Sequence, residues 1–313
     1  MEYYVADPTW KVFGIKSREY YLEKNVIPGN FHSNVPEDII KSFKTVTQLT
    51  AQAYYYYPLY DEALNKALRI FELAIKLKAK QLGLKKESLN NLINKLCKIQ
   101  NLAHLQNTLH RARGIRNTHM HPENHSSGWF MARGKGNIQM FSNFINELFL
   151  QESELNILRE ERENLEKFRE EISSNPICIQ VNNSEFYGEE INALRVFPTA
   201  GEIKMAISVL PYYENIARLI ENMHTEPYAI YLTKYTIENG CLKGKLLNGE
   251  QIKIKNSKGR FAAEERERWL NNIKNSEKKE WKQMYFSAIE DKFIWKCEEL
   301  IYNSYYKSEA YIS

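Results

Sequence analysis

The spacing of apolar residues changes character partway along the chain, and that change restricts the folds open to it. Up to about residue 172 the apolar residues recur with a helical period. Beyond Pro176 they gather in short β-branched and aromatic runs punctuated by Asn-Gly pairs. For 313 residues this predicts a fold that is mainly α, with a mixed α+β C-terminal part and a boundary at Ser173 to Pro176.

The clearest helix is expected from Asp61 to Gly83. Leu64, Leu68, Phe71 and Ile75 fall on one face, with Ala63, Ala67 and Ala74 beside them, and the glycine ends it. A helix is expected after Pro36, and another from Ser88 carrying Leu89, Leu92, Ile93, Leu96, Ile99 and Ala103. A fourth aligns Ile138, Phe141, Ile145, Leu148 and Phe149, then continues into a charged stretch where Leu158, Leu165, Phe168 and Ile172 draw a narrow apolar stripe. Residues 1–35, with Pro8, Gly14, Pro28 and Gly29, read as a packed irregular arm. Strands are expected at 177–181, 228–237, 241–247 and 251–255. Turns at Asn239-Gly240 and Asn248-Gly249 imply two consecutive β-hairpins before helix returns over 262–306. The organisation is therefore an arm (1–35), a helical domain (36–172) and an α+β domain (173–313).

The formal charge of +4 is too small to argue for nucleic acid by itself, so the placement of charge must carry that argument. Cys97, Cys178, Cys241 and Cys297 form no CxxC pair, which disfavours a zinc ribbon and a disulfide framework. The sequence begins without a basic region followed by an apolar run, and it holds no stretch of ~18 apolar residues. A cytoplasmic protein with no membrane association is expected.

The densest chemistry lies between the third and fourth predicted helices, where residues 111–125 hold three arginines and three histidines. Arginine grips phosphate through a rigid, permanently charged fork, and histidine exchanges protons near neutral pH. A ribonuclease that uses the neighbouring 2′-hydroxyl as nucleophile needs a proton acceptor, a proton donor and a cation for the phosphorane charge. Arg116 and His121 fit these roles, and the amide of Asn117 can orient a histidine or a phosphate oxygen. Pro122 disfavours helical geometry at His121, which sets that residue at a helix end.

The run Arg116-Asn117-Thr118-His119-Met120-His121 resembles the RNxxxH form of the Arg-x4-6-His motif of HEPN domains. These are helical bundles that commonly act as metal-independent endoribonucleases in toxin and phage-defence systems. Residues 36–172 look like that family's four- or five-helix bundle. The resemblance implies a homodimer in which two motifs face each other across one RNA-cutting cleft, without a cofactor, and allows a regulatory or antitoxin-like protein partner. It implies Arg116, Asn117 and His121 as catalytic residues, with His119 as a second candidate histidine.

Spacing alone is weak support, since about one such Arg–His pair is expected by chance. Arg113–His119 and Arg218–His224 match the spacing too; the asparagine and the helical flanks distinguish Arg116–His121. The rival class is a non-catalytic HEPN protein that binds RNA, a nucleotide signal or a protein partner.

Arg113, one turn before Arg116, is a candidate for a flanking phosphate, and Glu72 for orienting Arg116 or His121. Arg133 and Lys135 in the following glycine-rich loop are candidate RNA contacts, and Lys253, Lys255, Lys258 and Arg260 form a further basic run. His110 and His125 read as ordinary surface or loop polarity. His119, His121, Glu123 and His125 are of metal-ligand type, but Pro122 and the preceding helix oppose the extended strand that His-x-His ligation favours, so no metal is expected. Selecting substrate, sensing a signal, binding a partner and restraining the nuclease are all open to the C-terminal domain.

Overall fold

The computed structural model describes residues 4–99, 102, 106, 109–110, 112–114, 134–172, 176–198, 202–212, 228–257, 259–274 and 290–304. They divide into two compact units, one running to Leu155 and the other from Asn156 to Ser304.

The first unit is built from α1 (Thr9–Val12), α2 (Arg18–Asn25), α3 (Glu37–Gln52), α4 (Leu59–Gln81), α5 (Leu89–Ile99) and α6 (Gly134–Leu148). The N-terminal segment is more regular than its prolines and glycines suggest. Its short helices are pinned by aromatic side chains that reach backbone carbonyls: the Trp10 indole donates to Ala53 O at 2.8 Å and the Tyr21 hydroxyl to Thr50 O at 2.6 Å. In α3, Glu37 and Asp38 occupy the first turn, where the helix dipole favours acidic groups. α4 buries the predicted apolar stripe and stops before Gly83, whose φ of +70° lies in the left-handed region. α5 is capped by Ser88, whose hydroxyl accepts from Asn91 N at 3.3 Å.

α6 is interior. Its apolar residues meet α4, with the Phe71 and Phe141 ring centroids 5.6 Å apart, yet Asn137, Gln139, Ser142, Asn143, Asn146 and Glu147 are buried as well. Asn146 shows how such a residue is satisfied: its amide donates to Asn30 O at 2.7 Å and accepts from His32 N at 3.2 Å. The charged stretch is not a continuation of this helix. A break at Phe149–Gln151 separates it as α7 (Glu152–Ile172).

The second unit corrects the expectation of a helical bundle followed by an α+β domain with two β-hairpins. It is a barrel-containing α+β fold, whose strands close into a six-stranded antiparallel barrel in sequential order. The strands are β1 (Ile177–Val181), β2 (Ser184–Val196), β3 (Met205–Pro211), β4 (Tyr228–Glu238), β5 (Cys241–Leu246) and β6 (Gln251–Asn256). The four expected strands are present and both Asn-Gly turns form, with φ of +51° at Asn239, +66° at Gly240 and +89° at Gly249. Two further strands, β2 and β3, together with the pairing of β1 to β6, turn the hairpins into a closed barrel. Closure removes the exposed edges that hairpins alone would leave.

Register assigns the faces. Ile177 and Ile179, Met205, Ile207 and Val209, Leu232, Leu242, and Ile252 and Ile254 fill the interior. Tyr235, opposite Gly244 and therefore directed inward, hydrogen-bonds Glu161 of α7; burial first and that carboxylate second push its phenol well above the usual value. The Asn256 amide donates to Glu171 O at 3.2 Å, so α7 is tied to the barrel at both points.

Two further helices, α8 (Arg260–Lys274) and α9 (290–304), attach to β2 through charge. Arg266 of α8 grips Glu189 through Nε and Nη2, at 3.0 Å and 2.6 Å, while the Tyr212 hydroxyl donates to the same carboxylate at 2.8 Å. Glu298 of α9 meets Arg195 at 3.1 Å.

Gly188 marks the tightest approach between β2 and β3: a Cβ there would lie 2.6 Å from Leu210 O. Because backbone cannot step aside as a side-chain tip can, Gly188→Ala should destabilise the protein by about 1–3 kcal/mol in urea unfolding. A change below a few tenths of that would show that the strands separate freely at this point.

Candidate functional site

Arg116, Asn117, His119, His121 and Arg133 lie outside the described residues, as do Glu123, His125 and Lys258. Of the predicted site residues, Arg113, Glu72 and Lys135 are described. Lys135 lies in the first turn of α6. Glu72, on α4, bonds Lys76 one turn on, with 2.6 Å between charged atoms and its own side chain 18 % exposed. That pair is a common helix-surface arrangement.

Arg113 is placed beside a group that sequence reasoning set aside. Residues 109–110 and 112–114 are helical, and Leu109 and Ala112 are buried, so the face carrying His110 and Arg113 is set by this packing. Asn94 of α5 holds His110: its Oδ1 stands 2.9 Å from His110 Nε2 and also accepts from Gln106 Nε2 at 2.9 Å. An amide oxygen only accepts, so His110 carries its proton on Nε2 and, when neutral, a lone pair on Nδ1. Neither that Nδ1 nor the Nε of Arg113 has a hydrogen-bond partner among the described residues. Burial first, and the Arg113 charge second, hold His110 below the usual imidazole value.

This is an imidazole held toward its neutral form beside a cation, just ahead of the Arg116–His121 segment in the chain. The arrangement can accept a proton and hold an anion. The signal available in sequence was the three-residue separation of His110 and Arg113, which puts both on one helical face; the Asn94 contact, sixteen residues away, had no local signature.

The His110 ring should titrate below the ordinary midpoint of ~6.5, and Arg113→Gln should move that midpoint upward in an NMR titration. Because the folded value is depressed, the unfolded chain binds the extra proton first. Any stability this group contributes is present above the unfolded value and is lost as pH falls through the folded one. A midpoint unmoved by Arg113→Gln would remove the coupling.

In the second unit, Glu166, Arg169, Glu170, Glu190 and Ile191 line an open cleft of about 350 Å³. Its balance of charge is acidic, which makes it unsuited to holding a phosphate chain. Among the described residues no group of three or more His, Cys, Asp or Glu is placed to hold a metal ion, and no helix is long and apolar enough to cross a membrane. No protein-family model, curated protein or solved structure matches the chain.

Proposed function

We propose that this chain is a HEPN-type, metal-independent endoribonuclease, and the observation that carries the reading is the Arg116-Asn117-x3-His121 run. Two features support it. Every regular element described in the first unit, which contains that run, is a helix, and the described residues just before the run place an arginine beside a histidine held toward its neutral form.

In the proposed reaction the 2′-oxygen forms a bond to the adjacent phosphorus and the bond from phosphorus to the 5′-oxygen breaks. The products are a 2′,3′-cyclic phosphate and a 5′-hydroxyl. A histidine takes the proton from the 2′-hydroxyl, and a second histidine delivers one to the departing 5′-oxygen. Arg116 holds the scissile phosphate and its developing charge, and Asn117 orients a neighbour. His121 is assigned the proton transfer, with His119 second, and a homodimer would bring two copies of the run to one cleft. An effector role in a toxin or phage-defence system, with a protein partner to restrain it, follows from the same resemblance.

The test is to incubate the purified full chain with RNA in EDTA, beside Arg116→Ala and His121→Ala, and to identify the product ends. Cutting that resists EDTA, leaves cyclic phosphate ends and disappears in both variants is the expected result. Cutting abolished by EDTA would move the chemistry to a metal.

A further inference from the structure

The outer surface of the barrel is divided into two contrasting faces. On β3 the outward residues Ala206 and Ser208 are small and fully buried, and on the neighbouring β2 the outward Arg195 meets α9. On β4, β5 and β6 five of the outward positions are occupied by lysine.

Strand register brings these lysines together in a way the linear sequence does not show. Lys234 of β4 lies directly opposite Lys245 of β5, and Lys243 of β5 directly opposite Lys253 of β6; Lys255 follows two residues along β6, opposite Cys241. The inward partners in the same strands, Leu242, Gly244, Ile252 and Ile254, are buried, which fixes the lysines on the outside. Lys234, Lys243 and Lys245 are exposed, and Lys253 and Lys255 partly so.

Three strands at ~4.8 Å spacing and ~3.4 Å per residue make this a patch of about 10 Å by 14 Å carrying five cations. Lys243 faces Glu238 at 3.6 Å, and the charge of Lys255 acts on Glu185. At the far border, Glu185 is engaged by Gln180 and the Tyr187 hydroxyl.

Like charges placed directly opposite on neighbouring strands oppose folding, and here two such pairs adjoin. An external polyanion would neutralise them. The chemistry of the face selects which kind. Its other outward strand residues are Thr236, Glu238, Gln180, Gln251, Cys241 and the buried Cys178; a single exposed aliphatic residue, Leu247 in the turn after β5, stands at its edge, too little apolar area to anchor in a bilayer. The lysines recur at alternate residues along a strand, ~7 Å apart, a spacing suited to successive phosphates of an extended nucleic-acid strand. Tyr187, opposite Cys178 at the border, supplies an aromatic ring on the same outward side.

We propose that the outer face of β4–β5–β6 is a sequence-independent binding surface for the phosphate backbone of single-stranded RNA, with Lys234, Lys243, Lys245, Lys253 and Lys255 as its contacts. The choice of RNA rests on the endoribonuclease reading; the backbone-binding chemistry does not.

The experiment uses the full-length protein and a fluorescent single-stranded 2′-O-methyl oligoribonucleotide, whose blocked 2′-oxygen prevents cleavage, so that binding is read whether or not the chain cuts RNA. Anisotropy titrations over a salt series compare wild type with a variant carrying all five Lys→Gln changes. A control carries Lys24→Gln, Lys41→Gln and Lys296→Gln, which alter lysines paired elsewhere with acidic groups.

The five-lysine variant should bind about tenfold more weakly or worse, and its logarithmic salt slope should fall by roughly 0.7 per lysine, while the control stays near wild type. Lys253→Glu, which places a carboxylate opposite Lys243, should weaken binding while leaving the melting temperature equal or higher, separating lost affinity from lost fold. Unchanged affinity in the five-lysine variant overturns the proposal. So does wild-type binding to phosphatidylserine vesicles without binding to the oligonucleotide. Loss of oligonucleotide binding in a protein that never cuts RNA would sustain the face and sink the nuclease reading. Normal cutting alongside unchanged oligonucleotide binding would do the reverse.

Discussion

Arg116→Ala should slow RNA cutting by about 10²- to 10³-fold, the usual consequence of removing one preorganised group that stabilises charge in the transition state. His121→Ala should cost about 10²- to 10⁴-fold, the range for a positioned proton-transfer group. The two losses are not expected to multiply. Without the cation the phosphorane charge is uncompensated, and proton transfer then no longer limits the rate; the double variant should therefore resemble the worse single one. Rate against pH is expected to be bell-shaped, because one histidine must be neutral to take a proton while another is charged to give one. Measuring initial rates for the four proteins across pH 5 to 9, in EDTA, tests all of this together. His121→Ala retaining the full wild-type rate would transfer the role to His119, and the same substitution there would decide it. Arg116→Lys adds a sharper point: if the bidentate fork matters beyond charge, lysine should restore only part of the lost rate.

What could be read from sequence, and what could not, follows from how local the determining interactions are. α4 was legible because its apolar residues repeat every turn and Gly83 supplies the left-handed residue that ends it. The two Asn-Gly turns were legible because few residues tolerate positive φ, which Asn239 and Gly240 adopt in the first and Gly249 in the second. β3 was not. From Met205 to Leu210 every residue is buried, so its two faces leave no alternation to detect. β2 was obscured by irregular register on both sides of Ile191, which breaks its period.

Closure of the barrel depends on pairs such as Ile179 with Ile254, far apart in the chain and therefore invisible to any local pattern. The candidate site divides the same way. The arginine and histidine types in the 111–125 segment are open to inspection, whereas the His110–Asn94 contact and the lysine face come only from tertiary packing and strand register. In α6 the helical period marked one apolar face, but the burial of Asn146 and Glu147 on the others required the fold to supply partners that sequence cannot name.

Removing the carboxylate of Glu298 should be the most damaging single change to the second unit. The Arg195–Glu298 pair lies 3.1 Å apart with side chains only 15 % and 5 % exposed, and it joins α9 to β2. Glu298 stands beside the buried stripe of Phe293, Cys297 and Ile301, where burial also pushes the Cys297 thiol well above its ordinary value. Such surroundings give little solvent to screen a lone charge. Glu298→Ala would take a carboxylate away from the largely buried Arg195 guanidinium, at an expected cost of about 3–5 kcal/mol. An exposed ion pair would cost less than about 1 kcal/mol, so the size of the effect reports directly on burial. The double variant Arg195→Met/Glu298→Leu removes both charges and fills the volume with apolar atoms; it should recover most of the loss, and the single changes do not add up to it. Hydrogen exchange at the barrel amides of the full chain is the suitable measurement, because it reads opening of this unit separately from the helical one. Protection falling in Glu298→Ala and returning in the double variant would establish that apolar packing can replace the ion pair between α9 and β2.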